Sequence, residues 1–271
     1  MASTFDRARF TAALATRCLG RTLVTLAEAG STNDEAWRAL AGGAPDGTVV
    51  VADAQTRGRG RAGRVWHTNP GRGLAFSVLL RPAGEWRDLG LLPLAAGLAV
   101  ARALEGLGAA PALKWPNDVL LGGRKTAGVL CEARSPARAP DGPRRAAVVG
   151  IGVNVTEQPG DFPAALAATA TSLALAGIRT AREPVAAAIL GALEPLWDDL
   201  QAGRGDGVLE AWSDRAEPWG RPVAVRTPAG ERRGVARGLA GDGGLVIDLD
   251  GGAATVLHAG DVGGLVAEGT R

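Results

Sequence analysis

The sequence predicts an α+β main domain over residues 1–218 and a small antiparallel β-barrel over residues 219–271. Three observations lead there. Up to about residue 216, buried-strand and helical patterns are mixed irregularly, without the regular alternation that a doubly wound sheet requires. From Arg221 the texture changes to short strands parted by glycine turns, RPVAVRT, ERRGVARGLA, GGLVIDLD and GAATVLHAG, the pattern of a barrel of roughly 50 residues. Hydrophobic residues make up 46% of the chain and charged residues 21%, which suits a packed core and argues against disorder. The domain boundary falls near Pro218–Pro222, and no internal repeat is present.

Residues 5–19 read as a short helix and Thr22 to Ala27 as a strand. In GSTNDEAWRALAGG, Thr32 followed by Glu35 is a capping-box pattern and Gly42 a helix stop, so a helix begins at about Asn33. The β-branched run Thr48 to Ala54 predicts a buried strand. A glycine- and arginine-rich loop follows, then a strand over Leu74 to Leu80 and a buried helix over Leu89 to Leu107. Ala112 to Trp115, Val119 to Leu121 and Ala127 to Glu132 read as short strands, with Gly122-Gly123 turning a hairpin between the last two. SPARAPDGPRR reads as a flexible loop. Ala146 to Val155 is another buried strand, and Glu183 to Gln201 and Val208 to Ala216 are helices.

The net charge of +2 is small for a general nucleic-acid binder, which needs a larger basic excess or a basic stripe. Two cysteines, Cys18 and Cys131, suit a reducing cytosol. The start, MASTFDRARF, lacks the layout of a signal peptide, and the longest apolar run, Leu89 to Ala101, is short for a bilayer span and holds Pro93. A cytoplasmic protein with no membrane association is expected. Lys114 and Lys125 are the sole lysines beside 28 arginines, and they fall within twelve residues of each other. Where arginine serves for nearly every cation, a retained lysine points to a need for a compact ammonium.

Chemistry concentrates in four segments. QTRGRGRAGRVW, Gln55 to Trp66, matches G-x-G-x-x-G, but runs into Val65, Trp66, His67 and then a proline instead of a Rossmann helix. Its glycines let backbone wrap a ligand, and Arg59, Arg61 and Arg64 offer planar donors to carboxylate or phosphate. The same spacing also suits a solvated basic turn used against nucleic acid. In KWPNDVLLGGRKTAGVLCEA, Pro116 forces a turn that projects Asn117 and Asp118, either to hold Mg²⁺ or a sugar hydroxyl or as an ordinary Asx-turn. Lys125 beside the hairpin reaches a cleft or is solvated. Ser31, Thr32 and Asn33 at a helix N-terminus cap the helix, grip a polar ligand head, or both. In VVGIGVNV, Gly150 and Gly152 imply close backbone approach, with Asn154 at the strand exit. Trp66 adjoins the arginine loop and is placed to cover an adenine face. His67 and His258 lack metal or triad spacing, and neither C-x-x-C, H-E-x-x-H nor G-x-S-x-G occurs.

STN at 31–33, QTRGRGRAGRVW at 55–66, KWPNDV at 114–119, GRKTAG at 123–128 and GIGVNV at 150–155 occur in the order found in biotin–protein ligases, and the chain resembles that family from about Thr22 onward. The resemblance implies a mixed-sheet biotin/lipoate ligase-like catalytic domain with a C-terminal SH3-like β-barrel. It implies ATP and biotin as substrates, with Mg²⁺ travelling on the ATP phosphates near Asp118. Ser31, Thr32, Asn33, Gln55, Gly58, Arg59, Gly60, Arg61, Lys125 and Gly128 would line the biotin pocket. Arg61, Arg64, Trp66, Lys114, Asn117, Asp118 and Asn154 would serve ATP, and Arg61 with Lys125 would be the catalytic pair. The implied partner is the biotin carboxyl carrier domain of a biotin-dependent carboxylase, with sheet edges available to pair protomers as a homodimer. About thirty residues precede Ser31, too few for a winged helix, so an enzyme-only form without DNA binding is expected. The chain departs from the family at Arg57, where a small residue is common, and at Thr126, where a larger apolar one is. Competing readings are a lipoate or octanoyl ligase or transferase of the same fold, a nucleic-acid binder using the arginine loop, and a catalytically dead biotin-binding module.

Overall fold

Successive residues of the apolar strands face opposite ways, and here both faces are covered. Val49 and Val51, Val78 and Leu80, and Ala147 and Val149 join one large core, while Val50, Leu79, Ala146 and Val148 pack with Ala36 and Trp37 in a smaller one. The computed structural model describes residues 2–82, 88–134, 145–216 and 219–264. Its seven-stranded sheet holds β1 (Leu23–Ala29), β2 (Val49–Gln55), β3 (Leu74–Leu80), β4 (Pro111–Lys114), β5 (Asp118–Leu121), β6 (Arg124–Arg134) and β7 (Ala146–Val153), in spatial order β1-β2-β3-β7-β6-β5-β4. β1 and β2 run parallel and the other neighbours antiparallel, so the sheet is mixed.

The larger core lies beneath α1 (Arg7–Ala13), α3 (Leu92–Gly106), α4 (Arg182–Gln201) and α5 (Asp206–Ser213), and the smaller beneath α2 (Thr32–Ala41). α3 is apolar over most of its surface because α4, α5 and the sheet enclose it, with Arg102 and Glu105 exposed near its C-terminal end. The segment Leu89–Gly106 is long and apolar enough to cross a membrane by length and composition, but most of it is buried inside the protein.

Local expectations are corrected at several points, among them the last helix, which is Asp206–Ser213 and not Val208 to Ala216. The first helix is Arg7–Ala13, not residues 5–19. Leu14 turns to extended backbone, and the amides of Arg17, Cys18 and Leu19 donate to the Glu194 carboxylate at 2.7–3.0 Å, so a side chain takes donors that a helix would have used. The expected capping box is absent. Ser31 is the N-cap and Thr32 lies in the first turn, its hydroxyl 3.2 Å from Gln55 Oε1 and 2.8 Å from Ser77 Oγ. The hairpin at Gly122-Gly123 does form, with both residues left-handed (φ 55° and 73°), as a two-residue turn of that hand demands. β6 is longer than Ala127 to Glu132, and β7 ends at Val153, before Val155. Residues 135–144 of the expected loop, and Pro218 at the expected boundary, lie outside the described residues.

β8 (Pro222–Thr227), β9 (Gly230–Leu239), β10 (Leu245–Leu249), β11 (Ala254–Leu257) and β12 (Asp261–Gly264) form a second, wholly antiparallel sheet in the order β11-β10-β9-β8-β12, an SH3-like arrangement. Val223, Val225, Ala236, Leu245, Ile247 and Val262 continue the larger core into it. The Trp115 indole donates to the Gly243 carbonyl at 3.0 Å across the junction.

Candidate active site

Hydroxyl and amide side chains that find no place in an apolar core collect at one end of the large sheet. There they line a cavity of about 470 Å³. Ser31, Thr32, Asn33, Gln55, Arg59, Gly60, Arg61, Arg64, Trp66, Lys114, Asn117, Asp118, Lys125, Gly128 and Asn154 all line it, and so do both lysines of the chain. Of the residues expected at the site, Gly58 is the exception. It forms the root of the arginine loop, where a Cβ would lie 2.3 Å from the Trp66 carbonyl oxygen.

The floor is polar and buried. Gln55 Oε1 accepts from the Thr32 amide at 2.9 Å, and Gln55 Nε2 donates to Thr68 Oγ1 at 3.1 Å. Ser77 Oγ lies 2.8 Å from Thr32 Oγ1 and 2.7 Å from Asn33 Oδ1. Such a network holds its donors and acceptors in one arrangement, because an unpaired buried member costs about 1–3 kcal/mol. A Cβ at Gly150 would sit 2.2 Å from Asn33 Oδ1, which is why glycine occupies that point of β7.

The arginine loop is a tight hairpin. Gly60 N donates to Arg64 O at 2.7 Å and Trp66 N to Gly58 O at 3.0 Å, with Ala62 and Gly63 left-handed at the tip. Arg59 is held by Asp34 and Glu132, and Arg64 by Asp261 of β12 at 3.1 Å. Among the described residues no carboxylate lies within ion-pair distance of Arg61. Burial lowers its pKa, yet a guanidinium stays charged, so Arg61 presents to the cavity a cation held by no direct ion pair, with Asp118 and Asp261 acting on it only at longer range. Trp66 lies against the backbone of Gly152 and Gly128, with Lys125 Nζ 5.6 Å from its ring centroid. A Cβ at Gly152 would lie 2.2 Å from that ring. We therefore expect Gly152→Ala to displace Trp66 and to cost roughly 1–3 kcal/mol, as overpacking does, measured as a lower melting midpoint.

Lys125 Nζ stands 2.6 Å from Asp118 Oδ1. Its backbone is clamped by the segment after β7, with Lys125 N donating to Thr169 O and Thr171 N to Lys125 O. Asn117 Nδ2 donates to Val129 O at 2.6 Å and Asn154 Nδ2 to Thr171 O at 2.8 Å, so both asparagines fix the walls as well as face the cavity. Thr126 is buried within β6 with its Oγ1 unpartnered. Among the described residues no group of three or more His, Cys, Asp or Glu gathers to hold a metal. Asp118 Oδ1 is buried and its charge is met by the Lys125 ammonium at 2.6 Å, and the same carboxylate lines the cavity, where an oxygen ligand suits a hard cation.

Sequence reasoning missed Ser77, Asp34, Glu132, Asp261 and the 169–171 clamp. Ser77 had a signal, a lone hydroxyl in the apolar strand LAFSVLL. The others gave none, since their partners are distant in sequence. Glu157 was also missed. It is 1% exposed, a Cβ at Gly73 would meet its Oε1 at 2.5 Å, and its Oε2 has no partner. Burial pushes its pKa up to about 7. With the folded pKa above the unfolded one, its contribution is fully present below the unfolded value and is lost as pH rises through about 7. Glu157→Gln is expected to flatten this loss between pH 5 and pH 8 in chemical denaturation.

The family model for the biotin/lipoate A/B protein ligase family matches residues 29–154, and that for the biotin protein ligase C terminal domain matches residues 219–263. The chain is 37% identical to the biotin–[acetyl-CoA-carboxylase] ligase of Mycobacterium tuberculosis, covering 89% of this chain and 88% of that protein. It is 36% identical to the bifunctional ligase/repressor BirA of Bacillus subtilis, over 91% of this chain and 75% of BirA. The solved biotin protein ligase of Aquifex aeolicus in complex with biotin and ATP superposes with a TM-score of 0.75 at 31% identity, covering 90% of this chain and 98% of that one.

Proposed function

This chain belongs to the biotin/lipoate A/B protein ligase family, and from that premise we infer that it is a biotin–protein ligase. It activates biotin with ATP to biotinyl-5'-AMP and passes the biotinyl group to a lysine of a biotin carboxyl carrier partner. The observation that carries the site assignment is the convergence of Arg61 and Lys125 on a cavity whose other end is the neutral network of Thr32, Asn33, Gln55 and Ser77. Neutral donors and acceptors suit biotin's uncharged ureido head, and fixed cations suit its carboxylate beside the α-phosphate.

A carboxylate is a poor acyl donor because oxide is a bad leaving group. In the first step a biotin carboxylate oxygen attacks the α-phosphorus and pyrophosphate leaves. Two anions must meet, so preorganised cations lower the barrier. Arg61 and Lys125 would supply them, and we assign Arg64, Lys114, Asn117, Asp118 and Asn154 to the nucleotide and Trp66 to its base, a reading supported by their all lining one cavity. Mg²⁺ brought with the nucleotide would supply further charge neutralisation, and Asp118 is the carboxylate that would hold it. In the second step the carrier lysine attacks the acyl carbon and AMP leaves. The hairpin over residues 58–66 shields the adenylate from water.

We assign the catalytic unit to residues 1–218 and the barrel to 219–271, and place the protein in the cytoplasm without DNA binding. Edge strands β1 and β4 leave a homodimer to be read by sedimentation. Calorimetry with biotin, with and without Mg·ATP, tests the reading. Biotin is expected to bind, with an adenylate trapped only when both substrates are present. A response to lipoate in place of biotin, or salt-sensitive DNA affinity without a biotin response, would replace it.

A further inference from the structure

One buried carboxyl takes no part in the proposed reaction, yet it sits where two segments cross behind Lys125. Glu157 follows β7 and is 1% exposed. A Cβ at Gly73 would meet its Oε1 at 2.5 Å, so the carboxyl packs against the backbone just before β3, and its Oε2 has no partner. Thr156 secures the crossing by donating from both N and Oγ1 to Arg72 O, at 3.2 Å each. From there hydrogen bonds run to the catalytic lysine. Glu157 O accepts from the buried Ser172 hydroxyl at 2.7 Å, and Asn154 Nδ2 donates to Thr171 O at 2.8 Å. Thr171 N in turn donates to Lys125 O at 2.9 Å, and Lys125 N to Thr169 O at 2.8 Å. The elements joined here are short of charge. β3, β7 and residues 162–178 hold no Asp, Glu, Lys, Arg or His. On the crossing segments, 69–73 and 154–161, the other charged groups are Arg72 and Asp161, paired with each other at 2.6 Å. Among the described residues no cation lies within ion-pair distance of Glu157.

We propose that Glu157 is a positioning residue worked by a proton: as the neutral acid it keeps the crossing closed and the 169–171 clamp on Lys125, and as the carboxylate it loosens both. A buried carboxylate without a counter-ion is far more costly than the acid, so ionisation draws water into the crossing. The nearest anion, Asp161, opposes that ionisation further. Burial outweighs the backbone amides of residues 155–157, which favour the charged form, and the carboxyl titrates at about 7. The closed form therefore holds below neutral pH and is lost above it. Ser172 and Thr171 carry the change to the Lys125 backbone, and the ammonium that faces the reacting anions shifts with it. Thr32, Asn33 and Gln55, on the neutral floor, are not on this path. The proposal rests on the ligase reading only for what Lys125 does.

The test compares the full chain with Glu157→Gln, which has the same shape and stays neutral at every pH. Biotin-dependent ATP–pyrophosphate exchange is followed from about pH 6 to about pH 8.5, and the ratio of wild type to variant cancels every titration the two share. The kcat ratio is expected to be near one at the acid end and to fall about fivefold by the alkaline end, while KM for biotin stays within about twofold. A purely structural role would lower the melting midpoint and leave that ratio level. Hydrogen–deuterium exchange of the wild type without substrate supplies a second reading, which stands even where the variant fails to fold. Corrected for intrinsic rate, protection of the Lys125 and Thr171 amides is expected to drop about fivefold over the same range. A level kcat ratio, or level protection in the wild type, would overturn the proposal. Because hydrogen exchange needs no ligand, a chain inactive with biotin at every pH would sink the ligase reading and leave the proton-worked joint to be decided by protection alone.

Discussion

Arg61→Ala and Lys125→Ala are each expected to slow biotin-dependent ATP–pyrophosphate exchange by about 100- to 1,000-fold, the roughly 3–4 kcal/mol lost when one positioned donor is removed from a developing charge. The melting midpoint should change little for Arg61→Ala, since no described carboxylate within ion-pair distance is abandoned when the guanidinium goes. Lys125→Ala is different, because it strands the buried carboxylate of Asp118, 2.6 Å from the ammonium. Its activity loss should therefore come with a measurable loss of stability, and Lys125→Ala/Asp118→Asn should recover stability without recovering exchange. Lys125→Arg is expected to fail as a rescue. The ammonium sits 3.1 Å from where a Cβ at Gly128 would be and beside the Trp66 ring, a space that a guanidinium overfills. The double Arg61→Ala/Lys125→Ala should lose less than the product of the singles, since both act on one charge. Full exchange activity in both single variants would remove the mechanism.

The strands that carry the core were legible because their apolar runs are nearly continuous. Val49 to Val51 and, but for Ser77, Leu74 to Leu80 are apolar on both faces, and a sheet covered on both sides is where such runs fit. The glycine positions of β7 were legible for a similar reason. Gly150 and Gly152 interrupt a strand that has no turn there, so something must approach the backbone, and Asn33 and Trp66 do. The helix at residues 7–13 was over-extended because its end is decided by Glu194, some 175 residues away, and no local pattern announces that. The Thr32 capping box was a sound local inference overruled by a tertiary one, for the hydroxyl serves the Gln55 and Ser77 network in the cavity. The arginine loop could be read as cationic, but not which arginine is left without a direct ion pair. That depends on Asp34, Glu132 and Asp261, which folding brings within ion-pair distance of Arg59 and Arg64 and not of Arg61.

The same blindness to distant partners hid the pair on which stability should depend most. Asp53 and Arg182 are joined at 2.8 Å with side-chain exposures of 7% and 6%, the deepest ion pair among the described residues. Asp53 Oδ2 also accepts from the Thr4 amide at 2.5 Å, and Arg182 Nη2 donates to Thr4 Oγ1 at 3.0 Å, so the pair ties the chain's first residues to β2 and α4. Phe5 adds a ring 5.8 Å from the guanidinium. Asp53→Ala leaves a buried cation without its counter-ion, which is expected to destabilise by about 3–5 kcal/mol and to lower the melting midpoint by roughly 10 °C. Asp53→Ala/Arg182→Met should be milder than Asp53→Ala alone, because an apolar pair of similar volume removes the stranded charge. Burial alone would raise the Asp53 pKa, but the hydrogen bonds from Thr4 and Arg182 outweigh it and hold the carboxyl below its ordinary range. Its contribution is therefore present above the unfolded carboxylate pKa and is lost as pH falls through the lower folded value, so the wild type should lose its margin over Asp53→Ala in acid. Gln55 follows Asp53 by two residues on β2, so loosening this anchor should also weaken biotin binding, read by calorimetry at a temperature where both proteins remain folded. If the melting midpoint of Asp53→Ala stays within a degree or two of the wild type, or if the double variant is worse than the single, the pair is a passive contact and the N-terminal segment is held by its apolar residues alone.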